Sequence, residues 1–377
     1  MSVRRILILG GYGNFGKRIV SSLCDCAEVT LIIAGRNKTK ADALRDSLSA
    51  QASATLISAP LDLQSPDLVE QLKALQPDLL IHTGGPFQGQ DYRVPQACIA
   101  VGCHYIDLAD DRRFVCDISQ LDAAAAQAAK VLLVSGASSV PGMSSCVIAH
   151  FAERFSRLDD IDFSIAPGNQ AERGEATVGG ILSYTGHPIR VWRDGNWAQV
   201  YGWMSPRTML FDDTIGTRPL ANIDIPDLEL LPLAYPTVRN VAFQAGLELP
   251  LLHYGMCLMA WMARLGLVRD WSRWTRPIVS ASEWFIRWGT DTGGMQINLR
   301  GLDQQQQPLH IKWVLGATDG IGPYIPTLSA LILARKLIAG ELTSVGATPC
   351  MNLYSMADFA HEVEPLAIYQ HSEETRG

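Results

Sequence analysis

The sequence predicts an α/β protein: a doubly wound parallel sheet followed by a second, α+β domain containing an antiparallel sheet. Three observations lead there. From Ile6 to Val134, short apolar runs alternate with amphipathic segments, the pattern of βα repeats. After residue 155 that alternation gives way to strand-like pairs joined by turns. The chain, at 377 residues, also exceeds what one hydrophobic core usually supports. The expected divisions are 1–155, 156–322 and a helical segment, 323–377.

In the first domain the strands are expected at Ile6–Leu9, Val29–Ala34, Ala54–Ala59, Leu79–His82, Tyr105–Leu108 and Val131–Val134. They are apolar enough to be covered on both faces, as parallel strands are. Helices are expected near Gly16–Leu23, Lys38–Leu48, Pro66–Leu75, Val94–Val101 and Ile118–Ala129. In the second domain, Asp162–Ala166 reads as a strand. Ile189–Arg193 and Trp197–Tyr201 flank a hairpin turn at Asp194-Gly195-Asn196, and Met295–Arg300 pairs with Leu309–Val314 across a polar loop. Pro326–Gly340 has helical period and fits either domain.

Composition narrows the class. Hydrophobic residues at 47% and charged residues at 18% describe a folded globular chain. A net charge of -7 argues against nucleic acid or an anionic membrane as the main partner. Ile6–Leu9 is too short for a secretory apolar region, which runs ~7–15 residues, and reads as an opening strand. Leu249–Ala263 lacks formal charge but falls short of the ~20 residues of a spanning helix. It reads as a buried or interface helix, with membrane contact the less favoured alternative. The eight cysteines show no C-x-x-C spacing, which fits reduced thiols in the cytoplasm. No His/Cys cluster has metal-ligand spacing, so no metal is expected.

The stretch Gly10-Gly11-Tyr12-Gly13-Asn14-Phe15-Gly16 follows a strand and opens a helix. In that context Gly11-x-Gly13-x-x-Gly16 is a dinucleotide fingerprint: the turn brings backbone close to a pyrophosphate, and the helix N-terminus offers free N–H groups. The domain is therefore expected to be of Rossmann type. Gly10-Gly13-Gly16 also fits the short-chain reductase spacing. Those enzymes need Tyr-x-x-x-Lys, however, and none of the ten tyrosines has lysine four residues on.

The second strand selects the cofactor. Twenty residues after Gly16, where an NAD site usually places a carboxylate, stands Arg36, and no carboxylate occurs between Val29 and Ala41. Arg36, with Asn37 beside it and Lys38 or Lys40 adding positive charge, suits a 2′-phosphate, so NADP(H) is expected. Asp62, after the third strand, is placed to meet adenine. Thr83-Gly84-Gly85-Pro86, after the fourth, is placed to run close to the nicotinamide end.

Tyr105, Asp107, Asp110 and Ser139 are the catalytic candidates. By alternation Tyr105 and Asp107 share a face. Two readings stay open: the pair faces substrate and Asp107 supports an iminium or relays a proton, or Asp107 caps a loop while Tyr105 packs in the sheet. Ser138 and Ser139 precede Pro141-Gly142 and a helix, and are placed to cap it and to line the nicotinamide pocket. Cys146 reads as a small apolar packer, His82, His150 and His253 as core residues, and the tryptophans as core or dimer interface.

Three stretches, Gly84–Phe114, Ser135–Phe151 and Asp319–Leu342, together with the opening GGYGNFG, resemble the saccharopine dehydrogenase-like oxidoreductases. The resemblance spans nearly the whole chain, more loosely over Trp192–Arg287. It implies an NADP-binding Rossmann domain, an inserted domain for a small-molecule substrate and homodimer contacts, and a C-terminal return toward the nucleotide domain. Amino-dicarboxylate substrates would need a cationic cluster in the second domain. That region is instead rich in Trp, Met and Leu, and Arg173, Arg190, Arg207 and Arg218 sit in no matching motif. The expected activity is NADPH-dependent reduction of a C=N, C=O or activated C=C bond in a fairly apolar substrate. A catalytically silent NADP(H)-binding regulator or scaffold and a peripheral membrane reductase are the alternatives.

Overall fold

The computed structural model describes residues 3–121 and 123–376. The chain forms two compact units, Met1–Met143 with Tyr324–Glu362, and Ser144–Pro323 with Val363–Gly377.

Unit 1 begins as alternating strands and helices: β1 (Arg5–Leu9), α1 (Asn14–Leu23), β2 (Thr30–Gly35), α2 (Lys38–Leu48), β3 (Thr55–Pro60), α3 (Leu68–Leu75), β4 (Leu79–His82), α4 (Arg93–Val101), β5 (His104–Asp107), α5 (Arg112–Cys116), α6 (Ala123–Ala129) and β6 (Leu132–Ser135). Local chemistry sets several ends. The Asn37 side chain accepts from the Lys40 N–H and starts α2, and Gly102, at φ 73°, closes α4.

Unit 2 follows with α7 (Ser144–Ala152), β7 (Phe155–Ala166), α8 (Glu175–Ser183), β8 (Pro188–Arg193), β9 (Asn196–Tyr201), β10 (Arg207–Leu210), β11 (Thr217–Asn222), α9 (Asp227–Ala234), β12 (Asn240–Ala245), α10 (Pro250–Arg264), α11 (Thr275–Glu283), β13 (Gly293–Asp303) and β14 (Pro308–Ala317). The chain then returns to unit 1 with α12 (Ile325–Ala339), β15 (Gly346–Pro349) and α13 (Met356–Val363), and ends in unit 2 with β16 (Ile368–Arg376). The segment after residue 323 thus carries two strands besides its helices.

The sheet of unit 1 has seven strands in the order β15-β6-β5-β4-β1-β2-β3, all parallel. Strand order reverses between β1 and β4, where doubly wound sheets bind ligands at their carboxyl edge. The register aligns that edge. Leu9 lies opposite Ala34 on one side and His82 on the other, and His82 lies opposite Asp107. Leu7, Leu9, Ile32, Leu80, Tyr105 and Leu133 belong to one buried cluster beneath it.

α12 packs on this unit through Arg335, whose guanidinium donates to the Ser22 carbonyl and pairs with Asp25 and Glu362. The sheet of unit 2 has nine strands, with β8 and β9 attached beside a β10-β11-β12-β7-β13-β14-β16 path. It is a mixed sheet: β12 and β7 run parallel, while the other named pairs are antiparallel.

Candidate functional site

The turn after β1 is built for close approach. Gly10, at φ 82°, donates to the Ala34 carbonyl, and the Gly13 N–H donates to Gly10 O. A Cβ on Gly16 would lie 2.2 Å from Gly10 O, so only glycine lets α1 start this near the strand. Gly13 caps α1 without any side-chain hydrogen bond, and a helix N-terminus reached through such a glycine turn is a ready anion site.

Tyr12 covers the end of β2. A Cβ on Gly35 would lie 2.6 Å from its ring, and its hydroxyl accepts from the Asn37 N–H at 2.8 Å. Asn14 and Phe15 are half-buried in the first turn of α1. Arg36 and Lys40 are exposed at the end of β2. Their side chains have no hydrogen bond or ion pair among the described residues, whereas Lys38 pairs with Asp42 at 2.8 Å. A glycine cradle at a helix N-terminus beside an uncommitted guanidinium fits a 2′-phosphorylated dinucleotide.

Asp62 is exposed after β3 and accepts from the Gln64 N–H at 3.0 Å, closing a turn. After β4, Thr83 ties the loop to β1, both its N–H and its hydroxyl donating to Leu9 O. The amide of Gln90 holds the loop from the other side through the carbonyls of Gly84 and Pro86. Between these two loops is a cavity of about 220 Å³ lined by Leu63, Gln64, Gln88, Gln90 and Arg93 among others. The Arg93 guanidinium donates across it to Gln64 at 2.6 Å.

The ends of β4 and β5 carry a buried polar cluster. The Tyr105 hydroxyl lies 3.1 Å from His82 Nδ1. Asp107 Oδ1 accepts from Ala109 N at 2.9 Å, Gly136 N at 2.8 Å and Ser135 Oγ at 3.0 Å. His82, Tyr105 and Asp107 are all 0% exposed. Burial pushes His82 down to about 3, Tyr105 well above its ordinary value, and Asp107 up to about 6 despite its three donors. Tyr105 and Asp107 therefore meet, as alternation implies, but inside the unit. Asp107 fixes the turn that follows β6.

Sequence reasoning places His82 in the core but not beside Tyr105. Its signal is the β4–β5 register, which needs the fold. Asp110 is half-buried just beyond, accepting from Gln88 Nε2 at 3.2 Å. Ser138 and Ser139 are buried in the turn after β6. Ser329 on α12 fixes that turn, donating to Ser138 O at 2.8 Å with its hydroxyl 2.8 Å from that of Tyr354.

In unit 2 the four arginines are engaged within the unit. Arg218 pairs with Glu248 at 3.1 Å, Arg207 pairs with Asp162, Arg173 donates to Asn169 and Ser282, and Arg190 lies 4.0 Å from the centre of the Trp197 ring. Burial raises the Glu248 carboxyl, but donors from Asn169 and Thr290 and the Arg218 charge outweigh it, so its pKa is lowered. Cys146 is buried, as expected, and Glu175 opens α8. His150 is exposed instead, on a turn of α7 whose buried positions are Val147, Ile148 and Phe151. Among the described residues Trp203 and Trp313 are buried, while Trp261, Trp274, Trp284 and Trp288 stand 52–81% exposed, so those four are not core and only the interface half of the expectation applies to them.

Residues 6–133 match the saccharopine dehydrogenase NADP-binding domain family. No curated protein is significantly similar in sequence. Among solved structures, apo saccharopine dehydrogenase (L-Glu forming) from Saccharomyces cerevisiae aligns over 99% of this chain and 100% of its own, with a TM-score of 0.66 and 13% identity. Amine dehydrogenase from Mycobacterium smegmatis aligns over 94% and 95% with a TM-score of 0.48 and 11% identity. A short-chain dehydrogenase/reductase from Mycobacterium ulcerans aligns over 36% and 67%, with a TM-score of 0.30 and 19% identity. The first of these alignments shows a shared fold, and the other two are too loose to show even that. The family match covers the glycine cradle and the βα repeats up to residue 133, so the first domain binds NADP(H), and the chain shares the fold of saccharopine dehydrogenase along its whole length.

Proposed function

We propose that the protein is an NADPH-dependent reductase acting on a C=N, C=O or activated C=C bond of a fairly apolar small molecule. The observation that carries this reading is the aligned carboxyl edge of β1, β4, β5 and β6, whose loops surround the switch point. Bound NADPH supplies the hydride for such a reduction. The N–H groups around Gly11, Gly13 and Gly16 bind pyrophosphate. Arg36, with Asn37 and Lys40, binds the 2′-phosphate, and Asp62 and the Thr83–Pro86 loop border the rest of the cofactor. Asp110 and Ser139 stand for proton delivery at the reacting bond. Tyr105 and Asp107, sealed from solvent, act with His82 as positioning residues that hold the loops after β4 and β6 in place. The four internally engaged arginines disfavour an amino-dicarboxylate.

A cytoplasmic homodimer belongs to the same proposal, and light scattering on the purified protein tests its stoichiometry. One observation favours a second reading, that of a silent NADP(H)-binding regulator: the two acid/base candidates nearest each other, Tyr105 and Asp107, have no exposed surface. An NADPH-oxidation screen over keto acids paired with amines, enals and enoyl thioesters separates the two. Turnover lost in Asp110→Asn supports the reductase. Tight NADPH binding without oxidation by any compound supports the regulator.

A further inference from the structure

Unit 2 carries a concentrated apolar surface that neither reading of the nucleotide site uses. Among the described residues, ten of the fourteen exposed large hydrophobic side chains fall between Leu251 and Trp288. On α10, Leu251, Tyr254, Leu258 and Trp261 recur at intervals of three and four, and Leu265 continues the stripe beyond the last turn, all 50–69% exposed. The opposite face of α10 is the packed one. His253, Cys257, Ala260 and Ala263 point inward, and Gly186 approaches so closely that a Cβ there would lie 2.3 Å from Ala260 O. Trp274, Trp284 and Trp288 follow at 56%, 81% and 68% exposed. A soluble domain rarely leaves so many large apolar side chains together in water.

Charge chooses the occupant. The same stretch holds five arginines (264, 269, 273, 276 and 287) against Asp270 and Glu283, in a chain whose net charge is -7. Arg273 and Arg276 are 83% and 86% exposed. A two-fold contact with a second copy would set this positive stretch against itself. Tryptophan and leucine on one side with arginine interspersed is instead the composition of a helix lying in the plane of an anionic bilayer. Among the described residues no helix is long and apolar enough to cross a membrane, so the surface would rest on lipid without spanning it.

We propose that the face formed by Leu251–Trp288 docks the protein on an anionic phospholipid membrane. Full-length protein is sedimented with vesicles of phosphatidylcholine alone and of phosphatidylcholine mixed with phosphatidylglycerol. It should partition onto the mixed vesicles at least about tenfold more than onto neutral ones, since each arginine near the surface contributes about fivefold. Trp284→Ser with Trp288→Ser should reduce that partitioning about tenfold or more, as should Arg273→Glu with Arg287→Glu. All four positions are exposed, so unchanged NADPH affinity and melting temperature verify the fold of the variants. Equal partitioning on the two vesicle types, or variants that bind like the wild type, overturns the proposal. So does a dimer, seen by light scattering without vesicles, that the tryptophan substitutions disperse, because the face would then belong to a second copy.

Discussion

Replacing Asp107 by Asn should change how the stability of unit 1 depends on pH. Burial raises this carboxyl to about 6, against an ordinary value near ~4. In the fold it therefore keeps its proton after the unfolded chain has released one. That contribution to stability is complete below about pH 4 and is lost as pH rises through about 6. By linkage the loss amounts to about 3 kcal/mol at neutral pH.

His82 acts with the opposite sign. Its pKa is depressed to about 3, so below ~6.5 the unfolded chain takes up a proton that the fold refuses, and stability falls as pH falls. Between about pH 4 and 6 the wild type shows only the difference between these two slopes. Asp107→Asn keeps an oxygen for the three donors and removes only the carboxyl's slope. The variant should gain about 3 kcal/mol on the wild type between pH 4 and 7. Calorimetry across that range, with tryptophan fluorescence beside it, measures the difference. All nine tryptophans lie in unit 2, so a transition without a tryptophan signal belongs to unit 1. A difference that stays constant with pH would refute the reasoning, because Asp107 would then ionise as in an unfolded chain.

Two further substitutions probe the cradle and its support. Gly16→Ala places a methyl group 2.2 Å from Gly10 O, so the turn must move away from α1; NADPH affinity, measured by fluorescence titration, should fall about tenfold or more. Ser329→Ala removes the donor to Ser138 O and the partner of Tyr354. It should cost about 1–3 kcal/mol in thermal or denaturant unfolding, with no such loss if the turn after β6 is held some other way.

Much of unit 1 was legible because its strands are buried on both faces and glycines punctuate them. Lys38–Leu48 and Leu79–His82 agree residue for residue with α2 and β4, and the other five strands of the alternating series lie within one residue of expectation. β10 and β11 are missing from the sequence reading because each is short and mixes an arginine with apolar residues, and β12 because Asn240–Ala245 is short and opens on a polar residue. β15 contains a glycine and a proline, which sequence alone reads as loop, and β16 is an exposed, charged edge with little period to detect. In the site, alternation shows that Tyr105 and Asp107 share a face. It cannot show which way that face points, since helices cover both sides of a parallel sheet. Exposure of Trp284 and Trp288 was equally hidden: a tryptophan-rich stretch reads as core unless the packing around it is known.

The central claim is that the end of β2 recognises a 2′-phosphate through Arg36. The most direct test is to measure dissociation constants for NADPH and NADH with the wild type and with Arg36→Ala. NADPH should bind more tightly than NADH to the wild type. The substitution should weaken NADPH by about 10- to 100-fold, the loss of charge-assisted hydrogen bonds to phosphate, and leave NADH unchanged. Tighter binding of NADH to the wild type, or an NADPH constant that Arg36→Ala does not move, would contradict the account.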